Sequence, residues 1–299
     1  MIYKKTHFDG ITHNKDEIVF SVISYAITGV LSLIAIIPFL HVVSKAFSSS
    51  SAVTTGSVIF WPIDIHLNTL MFVLKETIFL NALKNTVIVA ILGTIISMLT
   101  TITTAYSLSH TNLRGRNVFL VLYIFSMVFY GGIVPAYMVV KTIGLIDTYW
   151  ALILPFAIVQ FNMLVVKNYF EGLPESIEES AKIDGANYVR ILVSIICPMS
   201  KPVIASISLL YAVNYWNNYF HAAMYTNSAS MRTLQIFLRD IISDGTDLMD
   251  RIMVAGNTTV SLEGVKAAAV ILSIIPIIAI YPFVQRYFVQ GITIGSVKG

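Results

Sequence analysis

Long runs without a single Asp, Glu, Lys or Arg alternate along this chain with shorter polar breaks. Six such runs stand out, at residues 18–41, 86–109, 118–140, 149–166, 203–223 and 267–284. A helix rising 1.5 Å per residue crosses a hydrocarbon layer of about 30 Å in roughly 20 apolar residues. Each run is long enough, or nearly so, to form one such helix. The fourth is the shortest and carries Pro155. The pattern predicts an all-α integral membrane protein with six transmembrane helices. The polar opening 1–17 precedes a run too long for a signal-peptide core. No small-residue cleavage site follows, so that run is read as a retained span.

Composition agrees. Only 12% of the 299 residues are charged and 56% are hydrophobic, whereas soluble domains run near a quarter charged. Mean hydropathy is +0.78. A net charge of +3 with no basic stripe gives no reason to expect a nucleic-acid partner. Cys197 is the single cysteine, which excludes an internal disulfide and paired-cysteine metal sites; no metal or cofactor is expected in this chain. Six spans put both termini on one side. With the termini inside, 11 of the 19 basic residues fall on inner segments, and the short loop Arg114-Gly115-Arg116 is among them. Short loops follow the positive-inside rule most closely. Both termini are therefore expected in the cytoplasm and the chain in the plasma membrane, in contact with lipid.

Missing chemistry narrows the class further. Ion-coupled transporters place carboxylates or basic groups at membrane depth, and these spans carry none. His41 and His221 sit near predicted span ends, where packing or interfacial placement is the ordinary role. There is no phosphate-cradling glycine loop ending in Lys-Ser or Lys-Thr, no Gly-x-Ser-x-Gly elbow and no His-Glu-x-x-His pair. A six-span body without its own fuel is either a passive pore or a subunit driven by another chain.

One polar stretch between the fourth and fifth runs has helical character. Leu173-Pro174-Glu175-Ser176 reads as a helix start with acids at the positive end of the dipole. Ser176 and Glu179 have the spacing of a capping box. Glu178, Glu179 and Lys182 are spaced for pairing along one helix, and Gly185 is a suitable stop. Residues 188–196 read as a second, more apolar helix closed by Pro198. The result is a helix–turn–helix on the inner face. It serves either as an amphipathic loop on headgroups or as a handle for a soluble partner.

The segment Glu179-Ser-Ala-Lys-Ile-Asp-Gly-Ala186, with Ile195-Ile-Cys-Pro198 and Lys201-Pro202, resembles the Glu-Ala-Ala loop of ABC importer permeases. Further likeness lies in Trp61-Pro62, Asn85-Thr86, Ala105-Tyr-Ser-Leu-Ser109, Gly115-Arg116, Gly131-Gly132 with Pro135, and a tail from Gln285 through Gly291 and Gly295 to Gly299. These are similar to the carbohydrate branch, and the long outer insertion and the Gly-Gly-x-x-Pro run of residues 131–135 most resemble permeases for polysaccharide uptake. Ser180 departs from the motif's first alanine, Cys197 from its leucine, and His110 from a usual basic residue.

The resemblance implies a type I importer fold, with a cytoplasmic segment 1–17, a permease domain 18–299, a core near 82–286 and a coupling loop 171–200. It implies a homologous permease partner, two cytoplasmic ATPase subunits that bind the ATP and magnesium, and an extracellular solute-binding protein. The chain itself would not be an enzyme. Glu179, Ser180, Ala181, Asp184, Gly185, Ala186 and Pro198 would form the coupling element, with Glu179 facing a basic residue of the ATPase. An importer for amino acids or peptides, or a membrane scaffold that merely recruits a soluble protein, are the rival readings.

For the path, Tyr211, Asn214, Tyr215, Trp216 and Asn218 crowd the far half of the fifth run, and Tyr130 precedes Gly131-Gly132 in the third. Aromatic faces suit the C–H faces of sugar rings and amides suit hydroxyls. The same residue types also serve as interfacial anchors. Gly131-Gly132 is read as a close-packing or kink site. In the outer insertion, residues 234–242 are patterned as an amphipathic helix.

Overall fold

A computed structural model describes residues 15–245 and 260–296, giving the backbone alone for 15–17, 281 and 283–296. The N-terminal segment 1–14, part of the outer insertion and the last three residues of the tail lie outside the described residues. All regular elements described are helical. They are α1 (Lys15–Phe47), α2 (Ser50–Thr54), α3 (Asn68–Lys75), α4 (Thr77–Ser109), α5 (Arg116–Val128), α6 (Ile133–Thr142), α7 (Tyr149–Ile153), α8 (Gln160–Glu171), α9 (Glu175–Ile183), α10 (Tyr188–Ile191), α11 (Cys197–Met199), α12 (Lys201–Trp216), α13 (Phe220–Tyr225), α14 (Leu234–Ser243) and α15 (Leu262–Ser296).

Three helices, α1, α4 and α15, are long and apolar enough to cross a bilayer unbroken. The three middle spans are bent pairs. The sequence pattern predicted single helices there, and local chemistry explains the departures in the third and fourth. In the third span α5 and α6 meet at 115°. Gly132 there adopts φ +99 and ψ 165, a region open to glycine alone. Gly131 has open space around it, so the pair is a corner, not a packing contact. In the fourth span Pro155 tightens the chain into a 3₁₀ turn, Leu154–Phe156, and α8 leaves at 50°. In the fifth, α12 ends at Trp216, and Asn217 to Tyr219 separate it from the short α13. At its other end the segment Tyr188–Met199 meets α12 at 87° around Ser200.

Helix α4 is the central post, packed by α8, α12, α7 and α14, while α15 lies against α12 and α1. Its buried face is small and polar in part, with Gly93, Ser97, Thr101 and Ala105 among the contacts. Such residues let membrane helices approach closely. Helix α1 is different: its apolar side chains from Ile18 to Leu40 are largely exposed. Lipid solvates such a surface as well as protein does.

Breaking a helix inside a membrane frees backbone groups that need partners. The α7–α8 break is repaired by the helices behind it. Tyr211 Oη accepts from Val159 N at 3.0 Å and pairs with Thr101 Oγ1 at 2.8 Å. Tyr215 Oη donates to Ile153 O at 3.3 Å and pairs with Ser97 Oγ at 2.9 Å. Thr100 Oγ1 donates to Ala157 O at 2.6 Å. The Tyr215 ring lies against Gly93, where an added Cβ would stand 2.7 Å from it. Glycine is required there by proximity.

At one end of the bundle the segment that follows α13 is stitched down. Asn85 Nδ2 donates to Ser230 O and Arg232 O at 2.8 and 2.9 Å, and its Oδ1 accepts from Tyr149 Oη at 2.7 Å. Thr86 Oγ1 accepts from Leu234 N at 2.8 Å. Helix α14 is amphipathic as expected and buries Leu234, Phe237 and Ile241. Phe237 meets Phe79 edge-on at 5.6 Å.

Candidate functional site

The hairpin lies at the opposite end, beside the C-terminus of α4. Pro174, in extended conformation, precedes α9, and its carbonyl accepts from Ile177 N at 3.2 Å. Glu175 and Glu178 occupy the first turn, where acids oppose the dipole favourably. The expected capping box does not form. The helix begins at Glu175, so Ser176 is already inside it, and its carbonyl accepts from Ser180 Oγ at 2.8 Å.

The end of α9 is a complete Schellman closure. Gly185 N donates to Lys182 O at 3.0 Å and Ala186 N to Ala181 O at 2.9 Å, with Gly185 at φ +80. Asn187 then caps α10, its Oδ1 accepting from Arg190 N at 2.8 Å. The second helix is not the regular 188–196 helix that the pattern suggested. After one turn it widens into a π turn, Leu192–Ile196, in which Cys197 N reaches back to Leu192 O. Pro198 supplies no N–H and its ring would crowd the carbonyl four residues earlier; the wider turn makes room for it.

The hairpin has two unlike faces. Inward, Ala181 is 7% exposed and sits in the main core, and Ala186 is half-buried. Glu178 Oε2 lies 2.9 Å from His110 Nε2 and 3.6 Å from Lys182 Nζ. Lys182 in turn sits 5.0 Å over the Tyr188 ring. Outward, Glu179, Ser180, Asp184, Gly185 and Pro198 are exposed, together with the apolar side chains of Ile183 and Val189. Glu179 has no ion-pair partner among the described residues. A second clamp lies alongside. Arg116 donates through Nη2 to Glu171 and through Nε to Leu108 O at 2.9 Å, and Lys167 Nζ reaches Glu171 at 2.7 Å. The loop read from sequence as an orientation signal thus also ties α4, α5 and α8 together.

The aromatic and amide residues of the fifth span separate into two groups. Tyr211, Tyr215 and Trp216 are 1%, 5% and 7% exposed. The two tyrosines serve the broken fourth span, and Trp216 lines an apolar pocket together with Ala90 and Pro276. Asn214 is exposed, as is Tyr130 at the α5–α6 corner. Asn218 is half-buried, its Oδ1 accepting from His221 Nδ1 at 2.9 Å.

Around His221 the three broken spans meet. Its ring lies 4.3 Å from Phe156 and 6.3 Å from Tyr225, and Tyr225 stacks with Tyr137 at 6.3 Å. Sequence reading passed over Phe156, Tyr137 and Tyr225. The available signal was Pro155 beside Phe156, Gly131-Gly132 ahead of Tyr137, and Asn217-Asn218 ahead of Tyr225.

Comparison with known proteins gives the class. Residues 112–294 match the family model described as binding-protein-dependent transport system inner membrane component. The chain belongs to that family of membrane permeases. It is 40% identical to Protein LplC of Bacillus subtilis (strain 168), over 94% of this chain and 95% of that one. It is 38% identical to the polygalacturonan/rhamnogalacturonan transport system permease protein YtcP of the same organism, over 94% and 98%. Among solved structures, one chain from a bacterial ABC transporter involved in import of the acidic polysaccharide alginate matches at TM-score 0.87. That match has 32% identity, covering 93% of this chain and all of that one. The chain is therefore a transport subunit, not an enzyme.

Proposed function

We propose that this permease carries oligosaccharides into the cell, paired with a homologous permease, two cytoplasmic ATPase subunits and an extracellular solute-binding protein. The hairpin end faces the cytoplasm with both termini. The observation that carries the coupling role is the exposed Glu179 on a helix held inward by Ala181 and Glu178 and closed at Gly185. A short helix so fixed transmits rigid-body motion into the spans. Its outward mixture of acid and apolar groups suits a protein cleft better than a layer of headgroups. The saccharide reading is supported by the relatives named for polygalacturonan/rhamnogalacturonan and alginate. Asn214 and Tyr130, exposed beside the broken spans, are the path residues we favour. No step needs a cofactor in this chain.

The test is reconstitution of the full assembly in proteoliposomes with its binding protein. ATP hydrolysis and uptake are then measured with oligogalacturonides, alginate oligosaccharides and maltodextrins. Stimulation by at least one of these is expected. An assembly that hydrolyses ATP but responds only to amino acids or peptides would refute the saccharide reading. One that forms without any solute response would make the chain a scaffold.

A further inference from the structure

The chain that follows α1 turns back along it. After the short α2, Gly56 reverses the chain at φ +72, and Val58 joins Ala52 and Val53 in a small buried cluster. From there the loop is laced to the last two turns of α1. His41 Nδ1 lies 2.7 Å from Ile59 O, and Ser44 Oγ donates to Phe60 O at 2.6 Å. Ile63 N donates to Ser48 Oγ at 3.0 Å, Ser49 N to Ile63 O at 3.0 Å, and His66 N to Phe47 O at 2.9 Å. These bonds give the loop a depth. His41 stands six residues before Phe47, the last of α1, or about 9 Å along a helix rising 1.5 Å per residue. Ile59 and Phe60 are therefore the deepest part of the loop, and Ile63 to His66 the shallowest.

That depth is where the apolar run 18–41 gives out, close to the boundary between hydrocarbon and headgroups. Residues 58–63, Val-Ile-Phe-Trp-Pro-Ile, carry no charged or hydrogen-bonding side chain apart from the indole N–H. Ile59, Phe60, Trp61 and Ile63 are exposed, Trp61 to 83%. In open water such side chains would gain nothing, and the carbonyls beside them could be left to solvent. Here the carbonyls of Ile59, Phe60 and Ile63 are met by α1 and the turn after it, as surroundings poor in water require. The patch also continues the surface of α1, whose apolar side chains face outward up to Leu40, one residue before His41. A soluble partner docks beyond the headgroups, whereas Ile59 and Phe60 lie back along the span.

We propose that the loop 59–65 is a membrane-surface anchor, with Ile59, Phe60 and Trp61 seated in lipid at the junction of headgroups and acyl chains. Tryptophan favours this layer because its ring is apolar and its N–H is a donor. The depth matches the roughly 5–10 Å reached by other interfacial elements. Helix α1 packs mainly on α15 and keeps most of its apolar surface outward, so protein contact does little to set its height in the bilayer. The anchor sets it instead. In the orientation proposed above this is the outer leaflet, but the anchor does not depend on that orientation.

The test is quenching of Trp61 fluorescence in the complete transport assembly in lipid nanodiscs. The lipids carry bromine near the headgroup end of the acyl chain or near its methyl end. The Trp61 component is the difference between wild type and Trp61→Phe, the other tryptophans being common to both. It should lose most of its intensity to headgroup-end bromine, much less to methyl-end bromine, and little to iodide in the water. Ile59→Trp adds a fluorophore and removes none, so it stands even where Trp61→Phe disturbs the loop, and its added component should be quenched by the same lipids. A component quenched by iodide and by neither lipid puts the loop in water and overturns the proposal. Protection from that iodide on adding the solute-binding protein would assign the patch to that partner. A component open to no quencher places the loop beneath the homologous permease or another subunit, and overturns the proposal equally. Stronger quenching from the methyl end would bury the loop in hydrocarbon and remove the interfacial seat.

Discussion

At one end of the bundle Asn85, Thr86 and Asp147 turn their polar atoms onto the chain's own backbone. At the other, α9 turns Glu178 inward and leaves Glu179 in solvent. The first arrangement is what a buried polar group requires, since an unpaired one costs about 1–3 kcal/mol. The second has no such explanation. An exposed acid at mid-helix adds little to stability, yet the helix beneath it is secured by a Schellman closure, a buried alanine and a part-buried charge pair. Polar chemistry at the stitched end maintains the fold, while at the hairpin end it holds a surface ready for another molecule.

That contrast is broken most severely at Gly185. Its φ of +80 is unfavourable for any residue with a Cβ, by about 1–2 kcal/mol, and more for a β-branched one. Space is not the obstacle, since nothing stands within 4 Å of an added Cβ. Gly185→Val should leave the protein inserted and assembled in the membrane while uptake falls at least roughly tenfold through a misplaced α9. Normal transport by this variant would remove the coupling role from the hairpin. Glu179→Ala is the gentler version. It should reduce uptake with an unchanged melting temperature, and a lowered melting temperature would mean that Glu179 has a structural partner.

The stitched end should respond in the opposite sense. Asn85→Ala deprives Tyr149, Ser230 and Arg232 of their partner. It should lower stability by about 1–3 kcal/mol, seen as earlier thermal unfolding in detergent, while the ATP hydrolysed per solute moved stays as in wild type. Tyr211→Phe tests the same logic at membrane depth. Losing the hydroxyl strands Val159 N–H and Thr101 and should destabilise by about 1 kcal/mol. A variant as stable as wild type, but altered in solute preference, would return Tyr211 to the path.

The positions of the six spans and the hairpin were legible because lipid solubility and helix-stop chemistry are properties of short windows of sequence. The three corners were less legible, because both halves of a broken span are equally apolar and hydropathy cannot separate them. Gly131-Gly132 and Pro155 flagged the places, but the bend depends on which distant groups satisfy the freed backbone. Those partners, Tyr211, Tyr215, Ser97 and Thr100, lie on other helices. For the same reason Tyr211 and Tyr215 suggested a sugar wall on composition, although their hydroxyls are engaged inside the protein. His110 was noted only as a departure from a motif, since its meaning depends on Glu178, 68 residues further on.

The smallest effect lies at Asp147, in the loop between α6 and α7. Its Oδ1 accepts from Ser228 N, Ser228 Oγ and Asn227 N, all at 3.0 Å. These bonds, the Ser228 backbone first, hold its carboxyl below the ordinary value of 3.8. A depressed acid stabilises the folded state above its ordinary value and loses that contribution as pH falls through its folded one. Asp147→Asn keeps an acceptor in place and suits the left-handed backbone at φ +63, so it removes the charge with little else. Its melting temperature should therefore lie slightly below that of wild type at pH 7, and the gap should close as pH falls below about 4. A gap of constant size across that range would show that the charge at Asp147 contributes nothing and that only hydrogen-bond geometry holds this end together.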